Sequence, residues 1–158
     1  MLACVICLPA PASDPLSAAD AGLSKPIPIG MINLKNSAAN MVQHRHTELG
    51  INLAKAYRGQ GYGGEAISWA VDWAFRFAGV HKVELEAFGW NQSAIKLYQK
   101  LGFVGEGRRR DHLWFDGRFW DLHLMGMLEH EWRERKESEQ EASRGDQSGN
   151  MSVPSAYD

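Results

Sequence analysis

Four glycines fall within six residues in the segment Tyr57-Arg58-Gly59-Gln60-Gly61-Tyr62-Gly63-Gly64-Glu65. Such a run lets successive backbone N–H groups converge on one point, and with no Cβ in the way a phosphate or pyrophosphate can approach them. A helix starting there adds the positive end of its dipole. The chemistry is anion binding; a tight strand-to-helix turn alone would need one glycine. Gly59-x-Gly61-x-x-Gly64 also satisfies the dinucleotide pattern G-x-G-x-x-G, with Glu84 some 20 residues beyond Gly64. In that fold, however, the first glycine follows its strand almost directly and further strand-helix units extend a parallel sheet. Here Ala54 to Arg58 intervene and the chain closes with a hairpin pattern, so NAD is the minority reading.

The remaining chemistry-bearing residues are less specific. Tyr98 lies in a helical pattern, where it reads as a core-covering side chain with its hydroxyl at the surface. Glu48 and Glu86 lie in strand patterns, where a carboxylate is commonly solvent-facing or ion-paired. Cys4 and Cys7 form a lone C-x-x-C with no second pair and no nearby histidine, so no metal site and no disulfide framework is expected. Arg108-Arg109-Arg110 reads as a solvated strand end. Trp69 and Trp73, one helical turn apart, read as packing against another element or a dimer partner, and His112 and His123 as structural.

These groups sit on an ordinary globular chain. Of 158 residues, 44% are hydrophobic and 23% charged, enough to bury one core without staples. The formal net charge of -2 argues against neutralising nucleic-acid phosphates or an anionic membrane as the main activity. The longest apolar run, Met1 to Leu8, is far short of the roughly 20 residues of a membrane span, and no basic residue precedes it as in a secretory signal. A cytoplasmic protein is the expectation.

The elements that must position the glycine loop follow from periodicity. Five of the six prolines fall in the first 28 residues, so residues 1–26 read as a flexible arm. Ile29 to Leu34 and Glu48 to Leu53 read as strands joined across the polar stretch Lys35 to Thr47. After the glycines, Ala66, Ile67, Ala70, Val71, Ala74 and Ala78 recur at helical spacing, running to about Phe77 with Gly79 as the stop. Lys82 to Phe88 alternates Val83, Leu85 and Ala87 against Glu84 and Glu86, a strand with one buried face. Ser93 opens a second helix that ends at Gly102. Phe103 to His112 and Phe119 to Leu128 read as antiparallel strands joined at Asp116-Gly117. From Glu129 the chain reads as a charged, frayed helix and then a disordered tail, leaving residues 27–128 as the single domain. This order predicts an α/β (α+β) fold with a mixed sheet and helices against it.

Arg58-Gly59-Gln60-Gly61-Tyr62-Gly63 resembles the (Q/R)-x-x-G-x-(G/A) acetyl-CoA signature of the GNAT superfamily of N-acetyltransferases. Asn91-Gln92-Ser93-Ala94-Ile95-Lys96-Leu97-Tyr98-Gln99-Lys100-Leu101-Gly102-Phe103 is similar to that family's second hallmark. The Glu-Leu-Gly strand and the Asp-Gly hairpin resemble the ribosomal-protein-alanine N-acetyltransferase branch. The resemblance covers about residues 27–128 and implies a centrally splayed sheet whose gap takes the pantetheine arm of acetyl-CoA.

By that resemblance Ile51, Asn52 and Leu53 would contact the acetyl and pantetheine end through their main chain. Arg58, Gly59, Gln60, Gly61, Tyr62, Gly63 and Gly64 would bind the pyrophosphate, and Asn91, Ser93 and Tyr98 the arm. Tyr98 would protonate the departing thiolate, and Glu48 or Glu86 would take the proton of an attacking primary amine on a peptide N-terminus or a small molecule. The runner-up is a noncatalytic acyl-CoA-binding or interaction module. The family carries another strand and one or two helices ahead of the strand at 29–34, and residues 1–26 look too short and proline-rich to supply them. That expectation leaves a sheet edge and face uncovered, which favours a homodimer.

Overall fold

The computed structural model describes residues 2–9, 25–35 and 38–148. In chain order the main elements are β1 (Leu2–Leu8), β2 (Ile27–Lys35), β3 (His46–Leu53), α1 (Tyr62–Arg76), β4 (Lys82–Phe88), α2 (Gln92–Lys100), β5 (Val104–Phe115), β6 (Arg118–Leu128) and α3 (Glu129–Ser148). The strands form one six-stranded mixed sheet in the order β1-β2-β3-β4-β6-β5, with β3 and β4 its parallel pair.

All three α-helices pack on one face. Ile67, Ala70, Val71, Ala74 and Phe75 of α1, Ile95 and Tyr98 of α2 and Trp132 of α3 share a single buried cluster with Ile32, Leu34, Leu49, Val83, Leu85, Ala87, Met125 and Met127 of the strands. The alternate strand positions point the other way. There Val5, Met31 and Phe88 are 62%, 55% and 46% exposed, and no described helix covers them. Among the described residues the sheet is therefore helix-covered on one side, while the other carries these exposed apolar positions beside the buried Leu122.

The helices begin and end where backbone chemistry demands. α1 starts at Gly61, which adopts φ 93° as its cap. α2 starts one residue before the expected Ser93, because the Asn91 side chain takes the capping role and accepts from the Ala94 N–H at 3.2 Å. It is stopped by Gly102 at φ 99°. β3 begins at His46 rather than Glu48, since Thr47 is buried and donates its hydroxyl to the Lys35 carbonyl at 2.6 Å. Asp116 and Gly117 turn β5 into β6 with positive φ at both positions, the geometry whose twist suits a two-residue hairpin.

Two expectations about the N-terminal part are corrected. Residues 2–8 are not part of a flexible arm: they form β1, antiparallel to β2 from Leu2↔Leu34 to Leu8↔Ile27. Leu2, Cys4 and Ile6 pack against the core while Ala3, Val5 and Cys7 face outward. The expected lack of a strand ahead of residues 29–34 is overturned by the same element. Its alternation was masked because the outward positions are themselves apolar or small, so no polar residue marked a period of two. The rest of the expected arm, residues 10–24, and the expected tail over 149–158 lie outside the described residues.

The charged segment after Leu128 forms α3, and one aromatic anchors it. Trp132 is buried, stacks at 5.4 Å on Phe75 and donates its indole N–H to Asp72 Oδ1 at 2.7 Å. Lys136 reaches the same carboxylate at 3.3 Å. Trp132→Ala is expected to lower stability by about 3–5 kcal/mol in urea unfolding, the range for emptying a buried aromatic site. Asp72→Asn, which keeps an acceptor, should cost about 1 kcal/mol.

Candidate functional site

The parallel pairing of β3 and β4 lasts for three register positions, His46↔Lys82, Thr47↔Val83 and Glu48↔Glu84. Beyond them each strand keeps only its outer partner. Leu49 to Leu53 continue on β2, and Leu85 to Phe88 continue on β6. The sheet opens into a wedge with its vertex at Glu48 and Glu84, and the facing edges carry backbone N–H and C=O groups with no partner strand. An extended amide-containing ligand can add to such an edge as a further strand would. Ile51, Asn52 and Leu53 all lie on the β3 side of this wedge.

The glycine loop closes the wide end on the helix-covered side. After Leu53 the chain passes through a 3-10 turn at Lys55–Tyr57 and reaches Gly59 at φ 76° and Gly61 at φ 93°. Neither glycine has an atom within 4 Å of the place its Cβ would occupy, so the loop's outer side is open. Two side chains brace it from behind: Arg58 Nε donates to the Leu53 carbonyl at 2.8 Å, and Gln60 Nε2 to the Ala56 carbonyl at 2.8 Å. At the start of α1 the Gly64 N–H already donates to the Gly61 carbonyl at 2.9 Å, while the Tyr62 and Gly63 N–H groups precede the first helical acceptor and, with the dipole, can receive an anion.

Gly63 and Gly64 serve a second purpose. A Cβ at Gly63 would lie 3.4 Å from Leu53 Cδ1 and 3.8 Å from Leu97 Cδ2, and one at Gly64 would lie 3.5 Å from Leu97 Cδ1. The missing side chains let the start of α1 sit against both the end of β3 and α2. The turn of α2 that carries Tyr98 is thereby brought beside the loop. Tyr98 is 9% exposed and meets Phe103 edge-on at 6.1 Å. Every fully buried polar side-chain atom among the described residues has a hydrogen-bond partner, and the Tyr98 hydroxyl has none among those residues, so it is not fully buried. Burial of its ring raises the phenol's pKa above the ordinary value of 10.0, which keeps the hydroxyl protonated.

The two strand carboxylates face the open side. Glu48 is ion-paired with Lys35, its register partner on β2. Glu86 is held by Arg109 Nη1 at 3.5 Å. Glu84 between them bonds Lys82 at 2.9 Å, and Lys82 reaches Glu106 at 2.7 Å. Sequence reasoning missed Lys35 and Arg109 as partners, because each pair joins strands whose register no local pattern reveals. Arg108 and Arg109 lie within β5 rather than at a strand end; both are exposed and both are ion-paired, Arg108 to Asp121 at 3.0 Å. Asp121 also accepts the N–H of Asp111 at 2.9 Å, holding a bulge where β5 shifts register between Arg109 and Leu113. Asn91 and Ser93 are tied to one another at the start of α2, Ser93 Oγ donating to Asn91 Oδ1 at 3.0 Å.

Residues 13–103 match the model of a family described as the acetyltransferase (GNAT) family. The chain is 32% identical over 94 residues to spermidine N(1)-acetyltransferase of Vibrio cholerae, covering 60% of this chain and 54% of that protein. It is 31% identical over 107 residues to the putative ribosomal N-acetyltransferase YdaF of Bacillus subtilis, covering 68% of this chain and 57% of that protein. Among solved structures it is similar to the spermidine N-acetyltransferase of Vibrio cholerae in complex with CoA and spermine, with a TM-score of 0.61 at 28% identity over 69% of this chain and 62% of that one. The dodecameric structure of that enzyme in an intermediate state gives a TM-score of 0.63 at 30% identity, over 68% of this chain and 61% of that one. The chain spans about half the length of these curated relatives.

The raised pKa of Tyr98 has a measurable consequence. The folded state favours the neutral phenol, so the stabilisation is full below the unfolded value near 10 and is lost as pH rises through the higher folded value. Absorbance titration of the four tyrosines should show a phenolate appearing above the ordinary range, and Tyr98→Phe should remove that step.

Proposed function

Because the chain belongs to the acetyltransferase (GNAT) family, we propose that it transfers the acetyl group of acetyl-CoA to a primary amine by direct attack in a ternary complex. The observation that carries this reading is the junction of an open glycine loop at the N-terminus of α1 with the wedge between β3 and β4. The pyrophosphate of acetyl-CoA is held by the main chain from Gly59 to Gly63, since the Arg58 and Gly64 N–H groups already donate to the Lys55 and Gly61 carbonyls at 3.3 and 2.9 Å. The pantetheine arm runs down the wedge along Ile51, Asn52 and Leu53, with Asn91 and Ser93 at its α2 side. The Leu53 carbonyl is already taken by Arg58, so the arm relies on the remaining groups of that edge.

The neutral amine attacks the thioester carbonyl, and a main-chain N–H of β3 stabilises the oxyanion. Collapse of the tetrahedral intermediate breaks the C–S bond, and Tyr98 gives its proton to the thiolate sulfur. A hydroxyl that is not fully buried, on a buried ring and neutral throughout the physiological range, suits a proton donor. The amine proton leaves through Glu48 or Glu86, which flank the wedge on the open side and pass it on through water. Three relatives carry names that specify their amine, spermidine, and another is named a putative ribosomal N-acetyltransferase. A polyamine and a peptide N-terminus are therefore the acceptor classes proposed for this chain. Self-association is proposed too, on the dodecameric relative and on the open apolar positions of the sheet. No described helix is long and apolar enough to cross a membrane.

Calorimetric titration with acetyl-CoA should give saturable binding, and NAD should give none. Tyr98→Phe is expected to bind acetyl-CoA with unchanged affinity while kcat falls about 100-fold, within the usual contribution of a general acid. An unchanged kcat would remove Tyr98 from the reaction, and absence of acetyl-CoA binding by the folded protein would overturn the reading as a whole.

A further inference from the structure

The helix-covered face is filled by one apolar cluster, and the glycine loop opens on that same side. A thioester seated in the wedge is therefore approachable from the open face. At the mouth of the wedge the open-face positions are Glu48 and Glu84, the last shared register pair, followed by Gly50 on β3 and Glu86 on β4. Their neighbours Leu49, Val83, Leu85 and Ala87 are buried beneath the helices.

Gly50 has no side chain, and its place is taken from the next strand. Asn33 of β2 is its register partner, and a Cβ at Gly50 would fall 2.8 Å from Asn33 Oδ1 and 3.5 Å from Nδ2. The carboxamide thus leans across β3 in the direction of the wedge, and only glycine at position 50 permits that lean. Among the described residues the half-buried Asn33 side chain makes no hydrogen bond within the protein. Its oxygen can accept from an N–H at a place where the carboxylates of Glu48, Glu84 and Glu86 are each ion-paired, with Lys35, Lys82 and Arg109.

Resting on the acetyltransferase reading above, we propose that Asn33 binds the acceptor amine. Its carboxamide oxygen accepts a hydrogen bond from the incoming amine above Gly50 and so turns the nitrogen lone pair into the wedge. Asn33 and Gly50 then act as a pair: one supplies the acceptor oxygen, the other leaves room for it. Gly50 is a specificity element through what it lacks, and a larger residue there would push the carboxamide aside.

The test is steady-state kinetics with two acceptors, spermidine and a short peptide with a free N-terminal alanine. Asn33→Ala is expected to raise the acceptor KM about tenfold or more while leaving the calorimetric affinity for acetyl-CoA unchanged. Asn33→Asp, which keeps an oxygen in place, should retain the acceptor KM to within about threefold. Gly50→Ala should reproduce the loss, and the double variant Asn33→Ala with Gly50→Ala should be no worse than Asn33→Ala alone, because both remove one contact. Should Gly50→Ala fail to fold, the two Asn33 variants decide the matter. Turnover by Asn33→Ala with an acceptor KM within about twofold of the parent overturns the role of Asn33 and leaves the transferase reading intact. Failure of the parent protein to bind acetyl-CoA overturns both, as does failure of an acetyl-CoA-bound parent to acetylate either amine.

Discussion

The site depends on a hydrogen-bond ladder that stops. β3 and β4 share three register positions and then separate, although both continue as regular strands held by outer neighbours. An unpaired strand edge inside a sheet is costly when it is dry, because each buried N–H or C=O without a partner loses the hydrogen bonds that water gave it. The wedge is tolerable because it is open to water, and it becomes favourable when an amide-bearing ligand fills it. The proposed binding of acetyl-CoA is in that sense the completion of an interrupted sheet.

What holds the strands apart is packing on the helix side. α1 and α2 share the buried cluster with both strands, and the close approach of Gly63 and Gly64 to Leu53 and Leu97 pins the start of α1 over the wide end. The same contacts set the direction of the helix dipole, so the glycine loop and the unpaired edges are parts of one construction. α3 adds to it from the far side of α1 through Trp132 and Asp72. The helix that looks most exposed by composition is joined to the core by a buried aromatic and by the bonds of Trp132 and Lys136 to the Asp72 carboxylate.

The open face follows a different logic. Its polar residues are arranged in ion pairs, Lys35 with Glu48, Lys82 with Glu84 and Glu106, and Arg109 with Glu86. Exposed pairs of this kind contribute little to stability, about 0–1 kcal/mol each. Their larger effect is to leave the face near neutrality and to fix side chains around the mouth of the wedge. Amid these commitments the Asn33 carboxamide keeps its hydrogen-bonding capacity, on the side of the sheet where a second substrate can approach.

Much of this was legible from residue order, and for a consistent reason. Gly59 and Gly61 sit at φ 76° and 93°, Gly102 at 99° and Gly117 at 75°, and a backbone that needs positive φ writes that need as glycine at the position itself. The stripe of α1 and the alternation of β4 are equally local, since each helix or half-buried strand repeats its pattern along its own length. β1 escaped because apolar residues on both of its faces erased the alternation. The pairs Lys35–Glu48, Glu86–Arg109, Asn33–Gly50 and Asp72–Trp132 join positions 13, 23, 17 and 60 residues apart. No local pattern encodes such distances; they arise once strand register and helix docking are set. The sequence by itself therefore determined the glycine loop, the order of elements from β2 to β6 and the family, all of which rest on local patterns. Only the tertiary structure decided where the ladder ends, which carboxylates are paired and which face stays open, because those depend on which strands meet and in what register.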